Sequence, residues 1–460
     1  MPFKYGIATM VRVPHAFVRV HAKIDGKDST GLAADLLPPK WFTKDPGKPM
    51  DEEVGEMIRV IRHACDAAAG MEADSVFNLW RALYKRQDEW AADQNLPPLL
   101  AHFGTSLVER ALIEAACRAT EAPFSKALME NQFGVRLGEI HPTLNGRSPS
   151  AFLPERPLER ITIRHTIGLA DPLRDQDIPS ESRLNDGLPQ SLEACIQTYG
   201  LKHFKIKVTG QLDNDLQRLE QIASIVSGNV GEACRFSLDG NEQFKSISEF
   251  RDFWETIVRR PALKEFLNCL LFIEQPLHRD VALNSEVKEM FHDWPVRPPV
   301  IIDESDGALD CLPRALELGY AGTSHKNCKG VFKGIINRCL VGDCAARRPQ
   351  ERYLMSGEDL ATIGPVSVIQ DLAVMATLGI ESVERNGHHY FSGLSMFSDE
   401  IQKGILTKHG DLYRQSSEGW PALAIQDGAV RMTSVNESPF GLGFSVDPAQ
   451  FTPVDGFRPA

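Results

Sequence analysis

From Glu159 to about Ile405 this 460-residue chain repeats one pattern, a short β-branched run followed by a longer amphipathic stretch. Such alternation marks successive βα units and confines the segment to an α/β fold built on a parallel sheet. The runs are RITIRHTI, HFKIK, CRFSLD, LLFIE, PVIID, AGTSHK, RYLMSGE and IESVE. Eight units of this kind predict a closed (β/α)8 barrel. A helix is expected after each run. The clearest are GVFKGIINRCLVG and GPVSVIQDLAVMATLG, where an apolar stripe and flanking glycines agree.

The chain on either side is organised differently. Phe3 to about Asp25 reads as extended and leads into a loop rich in proline and glycine, LLPPKWFTKDPGKP. Between Glu52 and Gln132 apolar residues recur at spacings of three and four, which predicts helices. After about Ile405 the sequence is turn-rich and irregular, and it is expected to return to the first lobe. The division is therefore 1–158 for an α+β lobe, 159–404 for the barrel and 405–460 for the returning tail.

Three barrel runs end in a carboxylate: Asp239 closes RFSLD, Glu274 closes LLFIE and Asp303 closes PVIID. The carboxyl ends of barrel strands share one rim, so these side chains converge. Three hard oxygen donors without a soft ligand suit Mg²⁺. A single aspartate after a strand is usually a helix cap. Three in phase, with lysines around them, point to a metal site instead. Lys205 and Lys207 lie two apart on the second strand and so share one face, and Lys326 closes the sixth. Lysines buried without acidic partners are costly, which favours a site over a purely structural role. Beside a dication at least one lysine is expected to lose proton affinity and serve as a base. Glu304 adjoins Asp303 and is expected to contact Lys205, Lys207 or a loop amide. Lys329 and Lys333 fall in or before the next helix and are expected to be solvated.

The segments K-I-K, S-L-D-G-N-E, F-I-E-Q-P and I-I-D-E-S occur in the order found in the enolase superfamily, and the resemblance covers nearly the whole chain. VERALIEAACRA resembles the last helices of that family's capping domain, and PFGLGF resembles the C-terminal return to the cap. KNCKG is similar to the sixth strand of the muconate-lactonizing subgroup within the mandelate racemase/muconate lactonizing enzymes. The resemblance implies a modified TIM barrel with an α+β capping domain. It also implies Asp239, Glu274 and Asp303 as Mg²⁺ ligands and Lys207 and Lys326 as acid/base residues on opposite faces of the substrate. Lys205 would tune Lys207. The implied chemistry is abstraction of the proton alpha to a carboxylate, giving a metal-stabilised enediolate. Dehydration of a hydroxy or sugar acid, racemisation, epimerisation and cycloisomerisation all remain open outcomes.

Two departures narrow the resemblance. Strand seven offers Ser356, Gly357 and Glu358 where the mandelate-racemase branch has a histidine, and strand eight offers Glu384, Arg385 and Asn386 where dipeptide epimerases have aspartate-x-aspartate. Glu304, Glu358, Glu384, Arg385, His388 and His389 are the expected substrate contacts, with the histidines supplying donors to an oxygen-rich acid and tilting the reading toward a dehydratase. Trp41 and Phe42 are expected to form a lid from the capping lobe. The rival readings are a Schiff-base aldolase using Lys207 or Lys326 and a non-catalytic barrel that binds a sugar acid.

With 50 Lys and Arg against 62 Asp and Glu, the net charge of −12 disfavours a nucleic-acid footprint. The nine cysteines include no C-x-x-C pair and fit a reducing compartment. Lys4 and Arg12 interrupt the N-terminal segment where a signal peptide would be apolar, and no run reaches membrane-spanning length. The expectation is a cytoplasmic homo-oligomer that acts on a small carboxylate and engages neither membrane nor nucleic acid.

Overall fold

The computed structural model of the chain describes residues 1–5 and 8–458. The N-terminal lobe starts with a small antiparallel pair, β1 (Phe3–Tyr5) and β2 (Ala8–Met10). A longer hairpin follows, β3 (His15–Ile24) and β4 (Lys27–Leu36), joined by Asp25 and Gly26. Both turn residues have positive φ, 49° and 81°. That is what a two-residue hairpin turn requires and what an Asp-Gly pair supplies. Extended structure thus runs well past Asp25. The second strand, KDSTGLAADL, is polar at its start and buried throughout its last six residues, so it carries no alternating signal.

Four helices complete the lobe: α1 (Met50–Ala68), α2 (Val76–Asp93), α3 (Pro98–Thr120) and α4 (Phe124–Met129). α3 is buried almost all round, because β4, α1 and α2 cover it on separate sides. Two glycines permit that approach. A Cβ on Gly31 would stand 1.9 Å from the Ala111 carbonyl oxygen, and one on Gly104 would stand 2.2 Å from that of Val60.

All eight expected barrel strands form: β5 (Arg160–Ile167), β6 (His203–Lys207), β7 (Arg235–Asp239), β8 (Leu270–Glu274), β9 (Val300–Ile302), β10 (Gly322–His325), β11 (Leu354–Gly357) and β12 (Ser382–Arg385). Each pairs in parallel with the next, and β12 closes the ring on β5. The period of two sends alternate residues into the barrel and out to the surrounding helices. Phe272 and Ile301, two residues before Glu274 and Asp303, form with Ala321 a small apolar cluster separate from the main core. The Arg164 guanidinium lies 5.3 Å from the Phe272 ring centre. This is the floor on which the polar residues stand.

The tail contains β13 (Tyr413–Gln415) paired with β14 (Pro421–Leu423), and β15 (Ala429–Arg431), which pairs antiparallel with the start of β5. This ninth strand of the sheet has no counterpart in the sequence reading. Further on, Phe440 packs on Phe124 and Phe451 stacks on Phe17 at 4.0 Å. Among the described residues no helix is long and apolar enough to cross a membrane.

Candidate active site at the barrel mouth

Lys205 and Lys207 point into the barrel from β6, while Phe204 and Ile206, which alternate with them, face the helices and are fully buried. By the same parity Asp239, Glu274 and Asp303 point inward from β7, β8 and the end of β9. Asp239 and Glu274 are direct register partners. Glu384 enters from β12, and Lys326 follows the end of β10. A small cavity opens here, and its walls include Lys207, Asp239, Asp303, Lys326, Glu384 and Trp41.

The charges interlock. Lys205 Nζ lies 3.1 Å from Asp239 Oδ2, 2.9 Å from Glu274 Oε2, 2.8 Å from Glu358 Oε2 and 3.0 Å from Glu384 Oε2. Lys207 Nζ donates to Asp239 Oδ2 at 2.9 Å and to Asn241 Oδ1 at 2.5 Å. Lys326 Nζ donates to Asp303 Oδ2 at 2.7 Å and stands 3.9 Å from Glu274 Oε1. Lys329 reaches the other oxygen of Asp303 at 2.8 Å. The expectation that Lys329 and Lys333 are solvated is therefore corrected. Both are buried, and Lys333 pairs with Asp306 at 2.7 Å, because strand five delivers carboxylates that the helical sequence around these lysines does not reveal.

Proton affinities follow these contacts. Burial lowers that of Lys205, but Asp239 and the glutamates around it raise it further, so the net shift is upward. Lys326 likewise rises because of Asp303 despite burial. The carboxylates around Lys205 and Lys326 thus favour the ammonium form of these two lysines. Burial pushes Asp303 up, yet Lys326 and Lys329 hold it well below the usual carboxylate range. Burial and Glu358 push Glu274 up.

The donor set suits a hard dication. Three carboxylates end adjacent strands, and buried Glu274 Oε2 accepts no well-directed hydrogen bond although Lys205 lies close. The three do not crowd within 4.8 Å of one another, since Lys205 bridges Asp239 to Glu274 and Lys326 links Glu274 to Asp303. Asp239, Glu274 and Asp303 are the residues that would hold such an ion.

The remaining expected contacts divide. Glu384 lines the cavity and is fixed by Thr166 Oγ1 at 2.6 Å and Asn386 Nδ2 at 3.1 Å. Glu358 lies deeper, paired with Arg164 and Lys205. Glu304 is buried and accepts from Asn241 Nδ2 at 3.3 Å rather than from Lys205 or Lys207. Arg385, His388 and His389 do not line the mouth cavity. With Glu384 inside, Arg385 must face out, and it pairs there with Asp371 and Asp359. The two histidines sit on the short helix Gly387–Tyr390 against the outer wall, beside His165. Of the two lid residues Trp41 roofs the cavity, whereas Phe42 is buried against Phe103.

Asn241 was missed by sequence reasoning although it stands in S-L-D-G-N-E. Asn241 and Glu242 both take positive φ, 39° and 65°, and the sharp turn after β7 carries the amide back onto Lys207. Met10 and Phe3 of the first hairpin also reach the cavity and carried no sequence signal.

No protein-family model matches the chain, and no curated protein sequence matches it. Among solved structures it is similar to a mandelate racemase/muconate lactonizing protein from Herpetosiphon aurantiacus, with 16% identity, coverage of 97% of this chain and 95% of that one, and a TM-score of 0.56. It is also similar to muconate cycloisomerase from Pseudomonas fluorescens (15% identity, 94% and 92% covered, TM-score 0.55). A third is the L-Ala-D/L-Glu epimerase from Bacillus subtilis (16% identity, 93% of each chain covered, TM-score 0.53). The fold is therefore one shared with mandelate racemase/muconate lactonizing proteins, as the sequence resemblance implied.

Proposed function

We propose that the chain is an enolase-superfamily enzyme that removes the proton alpha to a carboxylate of a small acid and returns it, an isomerase of the racemase, epimerase or cycloisomerase kind. One observation carries this reading: Lys207 and Lys326 stand at the ends of β6 and β10, four strands apart in a ring of eight, with the three carboxylates on the strands between them. A substrate held in the middle would present opposite faces to the two ammonium groups. One takes the proton in its neutral form, and the other delivers a proton to the far face.

A Mg²⁺ held by Asp239, Glu274 and Asp303 would supply charge stabilisation for the substrate carboxylate as the proton leaves. The chain's own residues do the rest. Asn241 orients Lys207, Glu384 and Asp303 bound the cavity, and Trp41 covers it and limits water. The lean toward a dehydratase rested on His388 and His389, which lie outside the mouth. The test is a screen of small chiral carboxylates in D₂O with Mg²⁺, watching the alpha-proton signal. Exchange that depends on both lysines supports the proposal; full activity in chelator, or borohydride trapping of a keto substrate on a lysine, overturns it in favour of a metal-free Schiff base.

A further inference from the structure

His165, Cys195 and His389 meet behind the barrel wall, at the seam where its first and last units join. His165 lies on β5 between Arg164 and Thr166, whose side chains enter the barrel, so it points outward. Cys195 comes from the helix Leu192–Tyr199 that follows β5, and His389 from the short helix that follows β12. All three are buried, and one ligand atom from each falls within 4.8 Å of the others. Among the described residues this is the one group of three such side chains at that spacing. None of them lines the mouth cavity.

We propose that His165, Cys195 and His389 bind a zinc ion that fastens the two ends of the barrel together. Cys195 Sγ lies 3.5 Å from His389 Nδ1. With a Zn–S bond of about 2.3 Å and a Zn–N bond of about 2.05 Å, two donors on a tetrahedral ion stand about 3.6 Å apart. The pair is already at that edge length. On the far side of the ring, His389 Nε2 is 3.9 Å from Asp171 Oδ2. That carboxylate is fixed in turn by the Tyr390 hydroxyl at 2.6 Å and the Gly168 N–H at 2.7 Å. At that distance Asp171 places negative charge beside the His389 ring without a hydrogen bond to it.

The rest of the pocket agrees. His165 Nδ1 lies 3.1 Å from His388 Nε2, and His388 Nδ1 is buried without a partner. Both imidazoles are buried, and the neutral ring is the form that ligates a metal. Cys195 must give up its thiol proton to ligate the ion. Binding then exchanges S–H for Zn–S and releases one proton to solvent. Thiolate and imidazole donors select zinc over the hard dication that suits the rim carboxylates, and Asp171 offsets the remaining positive charge. The three side chains fill three positions of a tetrahedral ion.

The test uses the full chain, stripped with chelator and then titrated with Co²⁺ in excess Mg²⁺, with Zn²⁺ added afterwards. The expected result is one Co²⁺ per chain showing a thiolate-to-cobalt charge-transfer band, displaced by one equivalent of Zn²⁺. The band should be lost in Cys195→Ser and retained in Asp239→Asn, which alters only the rim. X-ray absorption on the zinc-loaded wild type should show one sulfur among nitrogen and oxygen scatterers, a readout that holds even if Cys195→Ser does not fold. A zinc shell without sulfur, or a cobalt band that survives Cys195→Ser, overturns the proposal.

Discussion

Lys326 Nζ lies 5.2 Å from the centre of the Trp41 indole, so a loop of the N-terminal lobe covers a lysine of the sixth barrel strand. Arg279 pins that loop by donating to the carbonyls of Trp41 at 3.0 Å and Phe42 at 2.8 Å. A cation held against an indole gains roughly 0.5–2 kcal/mol, and the ring also excludes water from the ammonium group. Trp41→Ala should raise KM by about tenfold and lower kcat less, whereas Phe42→Ala should act on stability by about 3–5 kcal/mol. Steady-state kinetics and urea unfolding separate the two; a fall in kcat alone for Trp41→Ala would mean that the indole does not touch substrate.

The opposed lysines give the second expectation. Lys207→Ala and Lys326→Ala should each reduce turnover by about 10²- to 10⁴-fold, yet each should leave deuterium exchange on one stereoisomer only. Proton NMR of both isomers in D₂O reads this directly. Equal residual exchange from both faces in both variants would dismiss the two-base arrangement.

Asp239→Asn removes one hard donor and also a partner of Lys205 and Lys207. Mg²⁺ affinity by calorimetry and turnover should fall together, and by more than for either lysine variant, because metal stabilisation of developing charge is worth several kcal/mol. Undiminished Mg²⁺ affinity would take Asp239 out of the ligand set.

Lys205 is the hub of the interior, so its loss should be felt in folding before chemistry. Lys205→Met leaves Asp239, Glu274, Glu358 and Glu384 facing one another without their shared cation. Breaking a buried ion pair by removing one partner costs about 3–5 kcal/mol. Urea unfolding of the metal-free chain should show a loss of that order. Added Mg²⁺ should restore part of it by replacing positive charge at the rim.

A pH effect is expected where α3 meets the barrel. Glu109 is buried and accepts from the Phe332 N–H at 2.5 Å, and burial pushes its carboxyl up to about 8. The folded chain therefore keeps a proton that the unfolded chain gives up near 4.5. The stability tied to that proton is present below about pH 4.5 and is lost as pH rises toward about 8. At about 1.4 kcal/mol per unit the change amounts to a few kcal/mol. Glu109→Gln keeps an acceptor for Phe332 and cannot ionise, so its urea midpoint should decline less than the wild type's between about pH 5 and about pH 8. Parallel curves would assign the pH dependence to other groups.

The barrel was legible because parallel strands buried on both faces read as compact apolar runs, and a charge closing such a run is conspicuous. Asp239, Glu274 and Asp303 were found that way. Strand eight misled because proximity to a rim is not orientation. Glu384 and Arg385 are neighbours in sequence but leave the strand on opposite sides, and only Glu384 reaches the cavity. Lys329 was hidden for another reason, since its partner Asp303 is supplied by a different strand. β4 was missed because its polar opening residues carry no strand period, although the Asp25–Gly26 turn before it was in plain view.

β15 gives the architecture an order in time. Residues 429–431 hydrogen-bond to Thr162, Ile161 and Arg160, at the opening of the first barrel strand. During synthesis those strand-one edges emerge more than two hundred and fifty residues before the segment that covers them. An unpaired edge is a template for the wrong partner. A nascent chain released early would carry an assembled ring of carboxylates and lysines above a barrel whose base still lacked its last bonded neighbour.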